Sequence, residues 1–370
     1  MSVRTPLCDE FGIEHPIFAF TLYKEVCVEV SKAGGFGVYA ALRHTPDELE
    51  EVLTWIDDNI DGKPYGVDVV MPASYVGGDF DPDEMFEQLR AQIPDEHKAY
   101  VEAVLDRHGV PKLPDDEPAP RELLGWTEAT ARPQVDIALR HPIKLLVNAL
   151  GPPPKDVVDA AHEHGVKVAA LVGSAHHARK QVEQEVDIIV ATGTEAAGHT
   201  PDIASMVLWP EVVEAVAPRP VLAGGGIGSG RQMAAALALG AQGVWTGSIW
   251  LTVAESETQK AVLDKLLAAT SRDTVRSRSL SGKPARQLRT AWTDAWDDPK
   301  GPGALPMPLQ FMLTAEAVYR IYRAENPDLM GMPVGQIVGQ MNEVKPTATV
   351  IADMVRECDE TIARLQGMKR

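Results

Sequence analysis

Eight short runs rich in Val, Ile and Leu punctuate the first 251 residues, and most are apolar at every position rather than at alternate ones. They are PIFAF (16–20), GFGVYAA (35–41), YGVDVVMP (65–72), IKLLVNALG (143–151), VKVAALVGS (166–174), VDIIVATG (186–193), RPVLAGGG (219–226) and GVWTGSIWL (243–251). A strand apolar on both faces must be covered on both, which is the condition of a parallel sheet whose crossovers are helices. Helical patterns do stand between the runs: EEVLTWIDDN before the third, PKDVVDAAHEHG before the fifth, RQMAAALALG before the eighth. Each ends near a glycine or polar turn. Eight strand and helix alternations predict a TIM (β/α)8 barrel of the α/β class, with an open doubly wound sheet as the alternative.

Two regions break the rhythm. Residues 73–141, between the third and fourth runs, are too many for a loop and carry the proline- and acid-rich GVPKLPDDEPAPRE. They predict a partly helical insertion, with three roles open to it: a lid over the site, a channel for a long chain, or a contact in a homodimer. After the barrel, residues 255–370 contain two helical patterns, TQKAVLDKLLAAT and TATVIADMVRECDETIARLQ, on either side of DDPKGPGALPMP. The expected organisation is a barrel over residues 1–254 and a mostly helical C-terminal extension over 255–370 packed on it.

Composition excludes more than it assigns. A chain of 370 residues with 45% hydrophobic and 24% charged residues can bury a large core. Its net charge of -18 repels a phosphate backbone, so nucleic acid is not an expected partner. Three cysteines, Cys8, Cys27 and Cys358, lack metal-ligand spacing and are too few for a disulfide framework. No metal is expected, and a reducing, cytoplasmic location is. No apolar run reaches the ~18 residues of a membrane span, and no signal core opens the chain.

The stretch LAGGGIGSG (222–230) could be a dinucleotide turn or a phosphate cup. The dinucleotide fingerprint needs glycine at the first, third and sixth places and an acid about 20 residues on. Counting from Gly224 puts Ser229 at the sixth place, and counting from Gly226 puts Arg231 there. In a barrel the same run is the seventh strand emptying into its loop, with Ser229 as N-cap of the next helix. The eighth strand ends in Thr246, Gly247 and Ser248. Loops after strands seven and eight form the usual phosphate site of such barrels, through bare amides and a helix N-terminus. Gly225, Gly226 and Gly247 would admit the anion and Ser248 would add a hydroxyl; two ordinary tight turns are the plainer reading. The sixth run leads into EAAGHT, where small residues precede His199 at a strand's C-terminal end. An isolated histidine is usually structural, but this one falls on the catalytic face and is the candidate base. His162, His164, His176 and His177 lie in helical patterns and read as surface residues.

Taken together, EAAGHT and LAGGGIGSGRQMAAALALGAQGVWTGS resemble the nitronate monooxygenase family, formerly 2-nitropropane dioxygenases, a family of FMN-dependent TIM barrels. PIFAF, AGGFG (33–37) and SLSGKPARQLRT (279–290) are similar to further family segments. The resemblance implies FMN as cofactor, His199 as catalytic base, and FMN-phosphate contacts at Gly225, Gly226, Thr246, Gly247 and Ser248. It implies flavin contacts at the end of strand one, Ala19, Phe20 and Thr21, and at Asp68, Thr192, Ala197 and Gly198. Three positions depart from the family pattern: Ala197 replaces a usual glycine, Asp68 a usual asparagine, and Thr192 a frequent glutamine.

The activity so implied is oxidation of an alkyl nitronate, and of nitroalkanes through a base, by dioxygen to a carbonyl compound and nitrite. The alternative is an NAD(P)H-dependent FMN oxidoreductase acting on quinones or on enoyl or other acyl thioesters, for which Arg231, Arg286 and Arg289 could meet phosphates. A barrel that binds phosphate without catalysis is the third.

Overall fold

A computed structural model describes residues 3–42, 44–71, 82–114, 116–117 and 128–368. Each of the eight apolar runs contains a strand: β1 (Ile17–Thr21), β2 (Phe36–Ala40), β3 (Tyr65–Asp68), β4 (Leu145–Asn148), β5 (Lys167–Val172), β6 (Ile188–Thr192), β7 (Val221–Gly224) and β8 (Gly243–Thr246). They pair in chain order and all in parallel. β8 returns to β1 with Phe18 opposite Trp245, so the sheet is a closed barrel and not an open one.

Side-chain alternation sorts the strands into two cores. Phe18, Phe36, Val38, Leu145, Val147, Ala169, Ile188, Val190, Leu222 and Trp245 fill the interior. Ile17, Ala19, Tyr65, Val67, Leu146, Val168, Ile189, Ala191, Val221, Ala223 and Val244 face the surrounding helices. The helix Pro6–Phe11 closes the N-terminal end of the interior, with the Phe11 ring edge-on to Phe18 at 5.5 Å and to Phe36 at 5.0 Å. With that end sealed, the barrel interior can open only toward its C-terminal rim.

The predicted helices form: Pro46–Asn59, Lys155–Glu163 and Gly230–Ala238 before β3, β5 and β8. A capping box at Thr45 and Glu48 starts the first, and the Ser229 hydroxyl accepts the Gln232 amide at the start of the third. The insertion contributes the helices Pro82–Ala91, Asp95–Arg107 and Glu128–Ala138. Pro72, and most of the acid- and proline-rich run beyond Pro114, fall outside the described residues. The helix Asp95–Arg107 packs on the C-terminal helix Leu309–Arg323, where buried Arg320 meets Glu102 at 2.7 Å. No described helix is long and apolar enough to cross a membrane.

Both helical patterns after the barrel form, as Lys260–Ala268 and Thr347–Gln366. The latter lies along the helix Gly230–Ala238 at Gly230, where a Cβ would stand 2.0 Å from Met354 O. The extension also holds a hairpin, Thr274–Ser277 and Ala285–Leu288, that the sequence reading did not foresee. It becomes a three-stranded antiparallel sheet by taking in Gly198–His199, the segment just past β6.

Candidate active site

The rim is built from the ends of the strands. Pleating carries Phe20, Asp68 and Thr192 into the interior layer above Phe18, Gly66 and Val190. Phe20 packs against Trp245 with ring centroids 6.2 Å apart. The neighbours of Phe20 on β1 do otherwise: Ala19 belongs to the outer core, and the Thr21 hydroxyl accepts the Tyr23 amide at 3.1 Å. Only their main chain is available to a ligand at the rim.

Asp68 and Thr192 share an unusual condition. Asp68 Oδ2 and Thr192 Oγ1 are buried without a hydrogen-bond partner among the described residues. An unpartnered buried oxygen costs about 1–3 kcal/mol, so two at one rim mark a place built for a polar ligand. Burial alone raises the Asp68 carboxyl to about 7. Its ladder neighbours, Ala40 on β2 and Val147 on β4, bring no charge. Near neutrality a large fraction of Asp68 is therefore the neutral acid, which can donate a hydrogen bond as an amide does. The departure from asparagine is smaller in chemistry than in charge.

The loops after β6 and β7 converge through one acid. The Glu195 carboxylate accepts the Ser205 amide at 3.0 Å and its hydroxyl at 2.7 Å, and Ser205 Oγ also contacts Gly225 O at 3.1 Å. Gly225 and Gly226 have φ of 88° and 72°, a left-handed turn that favours glycine. At Gly247 an added Cβ would find its nearest atom, Phe20 Cδ1, at 3.7 Å, so the backbone there is open to close approach. Thr246 differs from its neighbours. Its hydroxyl donates to Phe18 O at 3.2 Å and accepts from Trp250 Nε1 at 3.0 Å, inside the wall.

Ser248 Oγ accepts the amide of Gly335 at 2.8 Å, and Glu195 O accepts that of Gln336 at 2.9 Å. An irregular segment of the C-terminal extension thus links the loops after β6 and β8. Gly335 is needed for that approach, since a Cβ would stand 2.7 Å from Glu195 O. No periodicity marks this crossing in the sequence, and its one local sign is GMPVGQ (331–336), with two glycines about a proline.

His199 projects from the rim beyond Ala197 and Gly198. Gly198 takes φ of 70°, and the antiparallel partners Ala285 opposite His199 and Arg286 opposite Gly198 hold the segment extended. Arg286 braces it further, giving Nε to Thr194 O at 2.9 Å and Nη1 to Thr274 Oγ1 at 3.1 Å. The imidazole keeps an exposed edge, while Nε2 lies 2.6 Å from the hydroxyl of buried Ser281. Desolvation, and then the Lys283 ammonium, lower its pKa below the usual histidine value. Both causes favour the neutral ring over the imidazolium. Ser281 and Lys283 stand in SLSGKPARQLRT, and the hairpin carries Ser281 across 82 residues of chain to the histidine.

The arginines considered for phosphate recognition do not gather here. Arg286 is spent on the loop, Arg289 pairs with Asp294 at 2.7 Å, and Arg231 lines a cavity of about 520 Å³ with Gln340, Lys345 and Glu357. None of the inward-facing rim residues lines that cavity. Among the described residues no cluster of His, Cys, Asp and Glu could hold a metal ion.

The fold is a closed parallel α/β barrel, and its C-terminal rim brings together the glycines after β7 and β8 and the imidazole after β6. The family model described as nitronate monooxygenase matches residues 4–357, and the chain belongs to that family of flavin-dependent oxidoreductases. A protein of Mycobacterium tuberculosis (strain ATCC 25618 / H37Rv) named "Putative monooxygenase Rv1533" is 49% identical, over 99% of each chain. From the same organism, (3aS,4S,5R,7aS)-5-hydroxy-7a-methyl-1-oxo-octahydro-1H-indene-4-carboxyl-CoA dehydrogenase is 29% identical, over 78% of this chain and 67% of its own. The solved structure of a nitroalkane oxidase from Streptomyces ansochromogenes shares the fold, with a TM-score of 0.81 at 23% identity over 97% of this chain and 99% of the other.

Proposed function

We propose that this chain is an FMN-dependent oxidase of alkyl nitronates. The observation that carries the reading is His199, bonded through Nε2 to Ser281 and with Lys283 beside it, held on the same rim as the glycines after β7 and β8. In balance, two nitronate anions and one dioxygen give two carbonyl compounds and two nitrite ions. Bound flavin would supply the electron acceptor for the substrate carbon and the reductant for dioxygen.

The chain's own residues fit such a cofactor. The backbone of Gly225, Gly226 and Gly247, with the Ser248 hydroxyl, would hold its phosphate. Asp68 Oδ2 and Thr192 Oγ1, both lacking partners among the described residues, would hydrogen-bond the edge of the ring system. Phe20 and Trp245, packed on each other, would offer it apolar surface. On the open side, His199 and Lys283 face the substrate, a neutral ring beside a cation, which suits a compact anion. The Gly335 segment, bonded to Ser248 and Glu195, would cover the β6 and β8 side of the site.

Anaerobic mixing tests the proposal. Propyl-2-nitronate should bleach the flavin absorbance of the FMN-loaded protein, and air should restore it with release of nitrite. A second reading, an NAD(P)H-dependent reductase of acyl thioesters, is favoured by the likeness to the CoA-thioester dehydrogenase. Bleaching by NAD(P)H alone, with none by the nitronate, would establish that reading in its place. A protein that stays colourless after FMN addition would point to a phosphate-binding barrel without redox chemistry.

A further inference from the structure

We infer that Ser281 fixes the neutral His199 with its proton on Nδ1, so that the site meets its substrate with hydrogen-bond donors only and selects preformed anions over neutral carbon acids. The inference deepens the proposed nitronate chemistry and rests on it for the identity of the substrate. The tautomer stands on the Ser281 geometry, and the neutral state on the burial of the ring and the Lys283 charge beside it.

Ser281 is 2% exposed, and its hydroxyl has two neighbours within hydrogen-bond reach among the described residues. One is the Lys283 amide, which can only donate, at 3.4 Å. The other is His199 Nε2, at 2.6 Å. The hydroxyl proton therefore has one acceptor, Nε2. Turning it elsewhere would leave a buried O–H unbonded, at about 1–3 kcal/mol. A neutral imidazole has one donor and one acceptor nitrogen. With the Nε2 lone pair engaged by Ser281, the proton sits on Nδ1, which makes no hydrogen bond among the described residues and is left for the ligand. The doubly protonated ring, which would reverse the Ser281 bond, is opposed by the Lys283 charge beside it.

What faces the substrate is then an N–H and an ammonium. Lys283 is exposed and forms no ion pair among the described residues. Two donors suit the paired oxygens of a nitronate, which carry the negative charge. They offer no lone pair to a C–H bond. A neutral nitroalkane could lose its proton here only after the Ser281 bond broke and the tautomer exchanged. At 1–3 kcal/mol that step slows it by roughly 5- to 150-fold.

Two measurements test this on the FMN-loaded protein. The first is ¹⁵N NMR of histidine-labelled enzyme, which reads the tautomer directly: His199 should show a protonated Nδ1 and an unprotonated, hydrogen-bonded Nε2. A protonated Nε2 in the neutral ring would overturn the inference whether or not any substrate turns over. The second is the ratio of kcat/KM for propyl-2-nitronate to that for 2-nitropropane, in wild type and Ser281→Ala. The wild-type ratio should exceed about tenfold and fall by about fivefold or more in the variant, as Nε2 is released. A ratio near one in the wild type, or one unmoved by S281A, would refute the selection. If neither compound bleaches the flavin, the nitronate reading fails, and the NMR result still decides the tautomer.

Discussion

Replacing Asp68 with asparagine removes a buried acid whose only perturbation is loss of water. In an unfolded chain the carboxyl titrates at 3.8, and in the fold at about 7. The folded state thus binds the extra proton between those values, and linkage makes the protein less stable as pH rises through that window. The sign is opposite to that of a salt-bridged aspartate. About three pH units at ~1.4 kcal/mol each give a loss of about 4 kcal/mol, complete a unit above neutrality. Asp68→Asn keeps the shape and abolishes the titration. Denaturant unfolding of the flavin-free protein should find wild type and D68N similar near pH 4, with the variant more stable by several kcal/mol at pH 8. A stability difference that stays the same from pH 4 to pH 8 would show that Asp68 is solvated or paired in solution, and the reasoning from its burial would fail.

Gly247→Val should weaken FMN binding about tenfold or more, by closing the approach to a backbone that would otherwise bond a charged phosphate; fluorescence titration of the flavin measures it. Gly230→Ala should cost about 3 kcal/mol or more, since the methyl falls 2.0 Å from Met354 O and 2.4 Å from Cys358 N and must displace the last helix. Thermal unfolding would reveal it, and an unshifted Tm would mean that the two helices do not pack as described. Phe11→Ala empties the plug beneath Phe18 and Phe36 and should destabilise the barrel by about 3–5 kcal/mol in denaturant unfolding, with the flavin spectrum of the loaded protein unchanged.

The barrel was legible because its signal is local. A strand such as β4 or β6, apolar on both faces, advertises burial on both sides, and eight such runs with helical spacers leave few ways to close. The glycine turns of β7 and β8 were legible for a related reason. A backbone that must turn left-handed at Gly225 and Gly226 restricts the side chain whatever lies around it. Other features depended on partners far away in the chain. Nothing in SLSGKPARQL says that its hairpin will add Gly198–His199 as a third strand, because a two-residue strand has no periodicity to read. The inward turn of Phe20 against the outward turn of Ala19 and Thr246 followed from barrel pleating, which motif matching ignores.

From the chain alone came the architecture, the rim on which chemistry would fall, and His199 as its candidate, since hydrophobic period and backbone freedom are properties of neighbouring residues. Folding in three dimensions decided what that histidine is. Burial and the Lys283 charge lower its pKa, and Lys283, the Ser281 hydroxyl that bonds it and the Gly335 amide bonded to Ser248 all arrive from the C-terminal extension. Protonation, tautomer and solvent access are set by distances in space, and distances in space across more than eighty residues of sequence are what only the folded chain contains.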